Sequence, residues 1–152
     1  MTPIQQMLLG VGASKKTYLD DVFSLDLWEA TNSAKTITNN IDVSGEGGLV
    51  WIKSRGASDG HMLTDTARGA NKQLRTNVNE AEISMSTILT AFTSSGYTIG
   101  TDTAVANSSS ADTAVGMTFR KAPGFFDVVT YTGDGASAKT ISHSLGSIPG
   151  LI

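Results

Sequence analysis

From Val22 onward apolar and polar residues alternate with a period of two, in short runs divided by turn residues, which is the pattern of β-strands. Phe23, Leu25 and Leu27 alternate with Ser24, Asp26 and Trp28, which predicts a half-buried strand with Trp28 on its polar phase and partly exposed. Thr36-Ile37-Thr38 predicts a second strand, with Asn39-Asn40 as a turn. Gly47-Gly48 opens the most apolar strand, Leu49 to Lys53, in which Leu49, Trp51 and Lys53 face one way and Val50 and Ile52 the other. Trp51 is expected in the core, touching both sheets, so that its truncation costs more than that of Trp28. Met62-Leu63 is a weaker strand, and Tyr97-Thr98-Ile99 and Val115 to Arg120 are clear ones, separated by a Ser-, Asn- and Ala-rich loop at 101–113. Between Glu80 and Phe92 both periods mix, leaving a helical turn or two short strands open. Ala122-Pro123-Gly124 marks a boundary, after which Phe126 to Tyr131 restarts the alternation. Short strands at this spacing predict a mainly β module over 22–121, an antiparallel β-sandwich or jelly roll.

Residues 1–21 follow another rule. Thr2-Pro3 places Pro at a first helical position, and Ile4, Met7, Leu8 and Val11 recur at a spacing of three to four, which predicts a short amphipathic helix over 3–9 ended by Gly10 and Gly12. One so short is not stable alone in water and needs a surface to dock on. Ile4, Met7, Leu8 and Leu9, with Tyr18, Leu19 and Trp28, are the candidate attachment residues.

The chain also repeats itself. Ser33-Ala34-Lys35-Thr36-Ile37 returns at 137–141, and Gly48-Leu49-Val50 is answered by Gly150-Leu151-Ile152. Residues 122–152 therefore read as a linker and the opening of a second, similar module, and the parent chain is expected to continue past Ile152 with a strand like Trp51-Ile52-Lys53.

Composition removes several functions. With 39% apolar and 16% charged residues, the chain can bury one ordinary core and lacks the Glu, Lys and Leu of long helices. A net charge of −3 without any basic run gives no footprint for nucleic acid. No stretch approaches the roughly 20 apolar residues that cross a bilayer, so membrane insertion is not expected. Met7-Leu8-Leu9 is too short for a signal-peptide core, and Lys15 and Lys16 follow it. Zero cysteines rule out disulfides and thiolate metal sites.

Candidate chemistry is sparse. His61 lies near Asp59 and Asp65, but the spacing fits no ligand template, and His143 aligns with Asn39 in the repeat. Asp20, Asp21, Glu46, Glu80 and Glu82 are the acids from which a glycosidase pair would have to come, with only Trp28 and Trp51 as large stacking platforms. The glycines at 10, 12, 45, 47 and 48 open no phosphate-binding helix, and no serine sits in a nucleophile elbow. No enzyme activity, cofactor or metal is expected. Asp65-Thr66-Ala67-Arg68-Gly69-Ala70 predicts a tight loop in which Asp65 caps backbone N–H groups and Arg68 pairs with it or with Asp59, or else a contact loop for a partner or a glycan.

Gly45 to Arg55, Asp65 to Ala70, Ser95 to Gly100 and Thr118 to Tyr131 together resemble the repeated module of tail-fibre and related virion proteins of marine bacteriophages, of cyanophage and pelagiphage type, and Thr2 to Gly10 is similar to the start of such proteins. One departure is Val115-Gly116-Met117, where that family more often carries tyrosine or tryptophan. The resemblance implies a concanavalin-like β-sandwich without assigned catalysis, located in the virion tail, as the N-terminal part of a fibre. Tail adaptor or nozzle proteins would be its partners, with a homotrimer as working state and host polysaccharide contacted beyond this segment. A glycan-binding module, through loops such as 56–60 and 101–113, or a capsid or tail decoration protein are the alternatives.

Overall fold

The computed structural model describes residues 16–102 and 113–152. The chain is mainly β, in two antiparallel sheets. A one-turn helix α1 (Leu19–Val22) leads into β1 (Phe23–Glu29) and β2 (Lys35–Thr38). A second helical turn, α2 (Val43–Glu46), precedes β3 (Gly48–Ser54), followed by β4 (Met62–Asp65), β5 (Lys72–Arg75), β6 (Ile83–Ser84), β7 (Leu89–Thr93), β8 (Gly96–Ile99) and β9 (Thr113–Arg120). The region that mixed its periods, 80–92, resolves into β6 and the start of β7, while β5 had no clear signal in the sequence. Phe126 to Tyr131, read as a renewed alternation, forms no strand.

The larger sheet has the order β1-β9-β3-β4-β5-β6 and the smaller β2-β8-β7. They meet in one core of Trp28, Val50, Ile52, Met62 and Ala114 from the first sheet, with Ile37, Ile88, Leu89, Tyr97 and Ile99 on the other side. This is the β-sandwich-like packing in which two inner faces interdigitate. Between them the rings of Trp28 and Tyr97 pack edge to face, with centroids 6.3 Å apart and planes at 69°.

Local chemistry explains the joints. Asp42 caps α2 by accepting from the Gly45 amide at 2.8 Å, and Gly47 ends it at φ +80°, a conformation that favours glycine, before β3 begins. After β4 the buried Asp65 accepts from the Arg68 amide at 2.9 Å and its Nε at 2.7 Å, with Nη2 completing the pair. The expected capped loop is present.

The phase of two strands is the reverse of the expected one. Trp28 is 6% exposed and belongs to the core, whereas Leu25 and Leu27 on the opposite phase are 55% and 61% exposed. Likewise Val50 and Ile52 are fully buried while Trp51 is half-buried on the outer face. Polar residues of β1 face inward because they are satisfied there: Asn39 Nδ2 donates to Asp26 Oδ2 at 2.8 Å and to Thr118 Oγ1 at 2.9 Å. Gly116 provides the room. A Cβ there would lie 2.0 Å from Tyr97 Oη and 2.9 Å from Trp28 Cζ3, so no larger residue fits beneath the two rings.

Candidate interaction surface

The outer face of the larger sheet is apolar across five strands. Its register sets Phe23 beside Phe119, Leu25 beside Met117 and Leu27 beside Val115 on β1 and β9. On the other flank of β9, Leu49 pairs with Phe119 and Trp51 with Met117; Trp51 also meets Leu63, which in turn meets Leu74. Exposed Leu25 and Leu27 sit on β1, the free edge of the sheet. At one end of this central strip charge enters with Glu29 on β1 and Lys53 and Arg55 at the end of β3, where Arg55 N donates to Thr113 O at 2.7 Å, and at the other the Asp65–Arg68 pair flanks Leu49. Contiguous apolar faces are a common feature of interaction surfaces.

At the opposite end the face runs into the pole where the chain enters and leaves the module. Phe23, Phe119 and Phe126 form a ladder with centroids 5.1 and 5.3 Å apart. Beside it, Tyr18, Leu19, Val22, Pro123, Gly124 and Phe125 enclose a groove of ≈ 280 Å³. Arg120 Nε donates to Asp21 O at 2.9 Å and ties the two ends of the module together. A neighbouring cleft of ≈ 370 Å³ is lined by both signs of charge, including Lys16, Asp42, Glu46 and Arg120.

The expected attachment residues separate under this geometry. Tyr18 and Leu19 stand 63% and 64% exposed at the pole. Trp28 is not there: it is enclosed by the second sheet and has no surface to offer a partner. Ile4, Met7, Leu8 and Leu9 lie outside the described residues. Leu25, Leu27, Met117 and Phe125 are surface residues that sequence reasoning missed. The available signal was that β1 and β3 carry large apolar residues on both phases.

The acids do not converge on a shared site. Glu80 pairs with Arg75 at 3.0 Å, Glu82 with Lys72 at 3.4 Å and Glu46 with Arg120 at 3.8 Å. The His61 amide donates to Asn77 Oδ1 at 2.9 Å, and His143 Nδ1 accepts from the Leu145 amide at 3.3 Å. Among the described residues no three His, Asp or Glu side chains are grouped to hold a metal. Among the described residues the buried Tyr97 hydroxyl has no hydrogen-bond partner, and burial, aided by the Asp26 charge, pushes its pKa far above the usual phenol range.

Residues 137–141 and 150–152 repeat 33–37 and 48–50 of β2 and β3, yet 126–152 form no strands, and Ala122 and Phe126 make an isolated bridge. In the first module β1 pairs with β9, β2 with β8, and β3 with β4 and β9. The segment is instead held by Asp127, which accepts from Lys121 Nζ at 2.9 Å and from Ser144 N and Oγ at 2.7 and 2.8 Å. Burial works to raise the Asp127 pKa, but the Lys121 and Ser144 hydrogen bonds outweigh it and hold the carboxyl well below its ordinary range. Ile148, Leu151 and Ile152 are exposed.

No curated protein matches the chain. No solved structure matches it either. Residues 20–152 match the family described as DUF7483, a domain of unknown function, and since that covers most of the chain, including both the sandwich and the repeat segment, the protein belongs to this family.

Proposed function

We propose that this chain is a structural virion protein, the N-terminal part of a phage tail fibre that fastens the fibre to the tail and supports host recognition. The sandwich, of concanavalin-like jelly-roll type, serves as its shoulder, and adaptor or nozzle proteins of the tail are its partners. Besides the sequence resemblance, one structural observation carries the reading: the pole. Exposed Tyr18 and Leu19 stand beside Pro123 to Phe125 where the preceding and following segments leave together, so a partner gripping that corner would hold the entry segment and the module at once. Charges from both ends of the module line the adjoining cleft, which suits a protein partner.

The test separates assembly from adsorption. Tyr18→Ala with Leu19→Asp is expected to leave the melting temperature within a few degrees, since both side chains are exposed, and to remove the protein from purified particles. Particles that incorporate the variant normally but fail to adsorb to cells would overturn the attachment reading in favour of receptor binding.

A further inference from the structure

The outer face of the larger sheet has a charge pattern that matches itself. We infer that it is a homotypic interface, in which two copies of this chain pack face to face about a two-fold axis running along β9. This goes beyond the attachment reading and does not rest on it.

The argument is one of register. Strands β1 and β3 flank β9 and both run antiparallel to it, so they are parallel to each other and share levels along it. Phe23 and Leu49 lie at the level of Phe119, Leu25 and Trp51 at that of Met117, and Leu27 and Lys53 at that of Val115. Glu29 and Arg55 both lie at the level of Thr113. A two-fold axis in the interface plane along β9 exchanges the flanks and preserves the levels. It sets β1 of one copy over β3 of the other, Leu25 against Trp51 and the aliphatic part of Lys53 against Leu27. Val115, Met117 and Phe119 meet their own counterparts on the axis.

The same operation places Glu29 of each copy over Arg55 of the other, twice. Neither residue has an ion pair among the described residues. Such a surface is isologous: one patch satisfies its own image, as a closed two-fold requires. Two sheets packed this way cross at about 30°, a divergence that long Glu and Arg side chains span. A three-fold ring, the state expected from the resemblance, cannot pair this patch with itself.

The size of the patch sets the strength. Three strands about 4.8 Å apart and seven residues at about 3.3 Å each make a footprint of roughly 14 by 23 Å. That is well below the standard interface, so a weak, transient association seen only at high protein concentration is expected.

Sedimentation equilibrium of the full 152-residue chain from roughly 1 to 300 µM tests it. The wild type should pass from monomer towards dimer only near the top of that range. Glu29→Arg and Arg55→Glu should each weaken the dimer about tenfold, as for a close charge pair turned repulsive. Mixing the two variants should restore dimerisation, because in the mixed pair every 29–55 contact joins opposite charges. Leu25→Glu should abolish association, with an unchanged circular dichroism spectrum showing that the sandwich survives. A wild type that stays monomeric or forms a trimer overturns the inference. So does a mixture of charge variants that associates no better than either alone.

Discussion

On one face of the six-stranded sheet Trp28, Val50, Ile52 and Met62 meet the second sheet; on the other, Leu25, Leu27, Trp51 and Met117 do not. Hydrophobicity does not distinguish the two sets. Shape does. The inner face interleaves its large side chains with Gly48, Ala114 and Gly116, leaving hollows into which the Trp28 and Tyr97 rings descend. The outer face carries large residues at nearly every position and offers no hollow to a second layer of this chain. Close packing needs small residues opposite large ones, so the side with the gaps became the core.

The sharpest way to break this comparison is through the two tryptophans. Trp28→Ala empties the junction between the sheets and should cost about 3–5 kcal/mol, a large part of the stability of a small domain. Trp51→Ala trims the outer face and should cost only about 1–2 kcal/mol. Chemical denaturation of both variants reads the difference, and equal losses would mean that the two faces contribute alike.

A smaller effect probes the hollow itself. Gly116→Ala puts a methyl group into the Tyr97 hydroxyl and should cost about 2–3 kcal/mol through overpacking. Tyr97→Phe removes that hydroxyl, which has no partner among the described residues, and alone should change stability by less than about 1 kcal/mol. Combining the two should recover much of the Gly116→Ala loss. The phenol also dictates a pH dependence. Because burial raises the Tyr97 pKa above that of the unfolded chain, stability is unaffected below about pH 10 and falls as the unfolded tyrosine ionises above it. Alkaline melts should show that Tyr97→Phe lacks this decline.

The least effect is expected at the repeat segment, which rests on one carboxylate where the sandwich rests on a core. The Asp127 pKa is lowered, so its contribution is present above the ordinary carboxylate range and is lost as pH falls through and below about 4. The protection of the Ser144 amide, measured against its intrinsic exchange rate at the same pH, should therefore fall in acid, or in Asp127→Asn at neutral pH, while the sandwich melts where it did before.

Much of this was legible in the sequence. Most strands, the Asp65–Arg68 loop and the Gly47 entry to β3 follow from local period and turn chemistry, and they appear as expected. The two-sided character of β1 and β3 was visible too, but not which side would be covered. That choice depends on Gly116 and Tyr97, which lie far from Trp28 in the chain and meet it only after folding. The strand β5 was obscured because Lys72 and Arg75 bracket it, and Gln73 faces inward, where its Nε2 donates to the Ala70 and Met85 carbonyls at 3.0 and 3.2 Å. The outer surface was missed for the same reason as the core: a residue assigned to the inside cannot also be read as an interface.

The position of β9 governs when this molecule can exist. It is the last strand of the module to be made, yet it lies between β1 and β3, with Phe23 waiting for Phe119 and Glu29 for Thr113. At translation rates of roughly 5–20 residues per second, β1 emerges roughly 5–20 s before β9, its neighbour in the sheet. Throughout that interval its Leu25 and Leu27 row and its unpaired backbone are open to any other nascent copy. Folding therefore closes late and in one step, and arrays of such modules would mature one whole unit at a time, each remaining unfinished until its final strand slides into the middle.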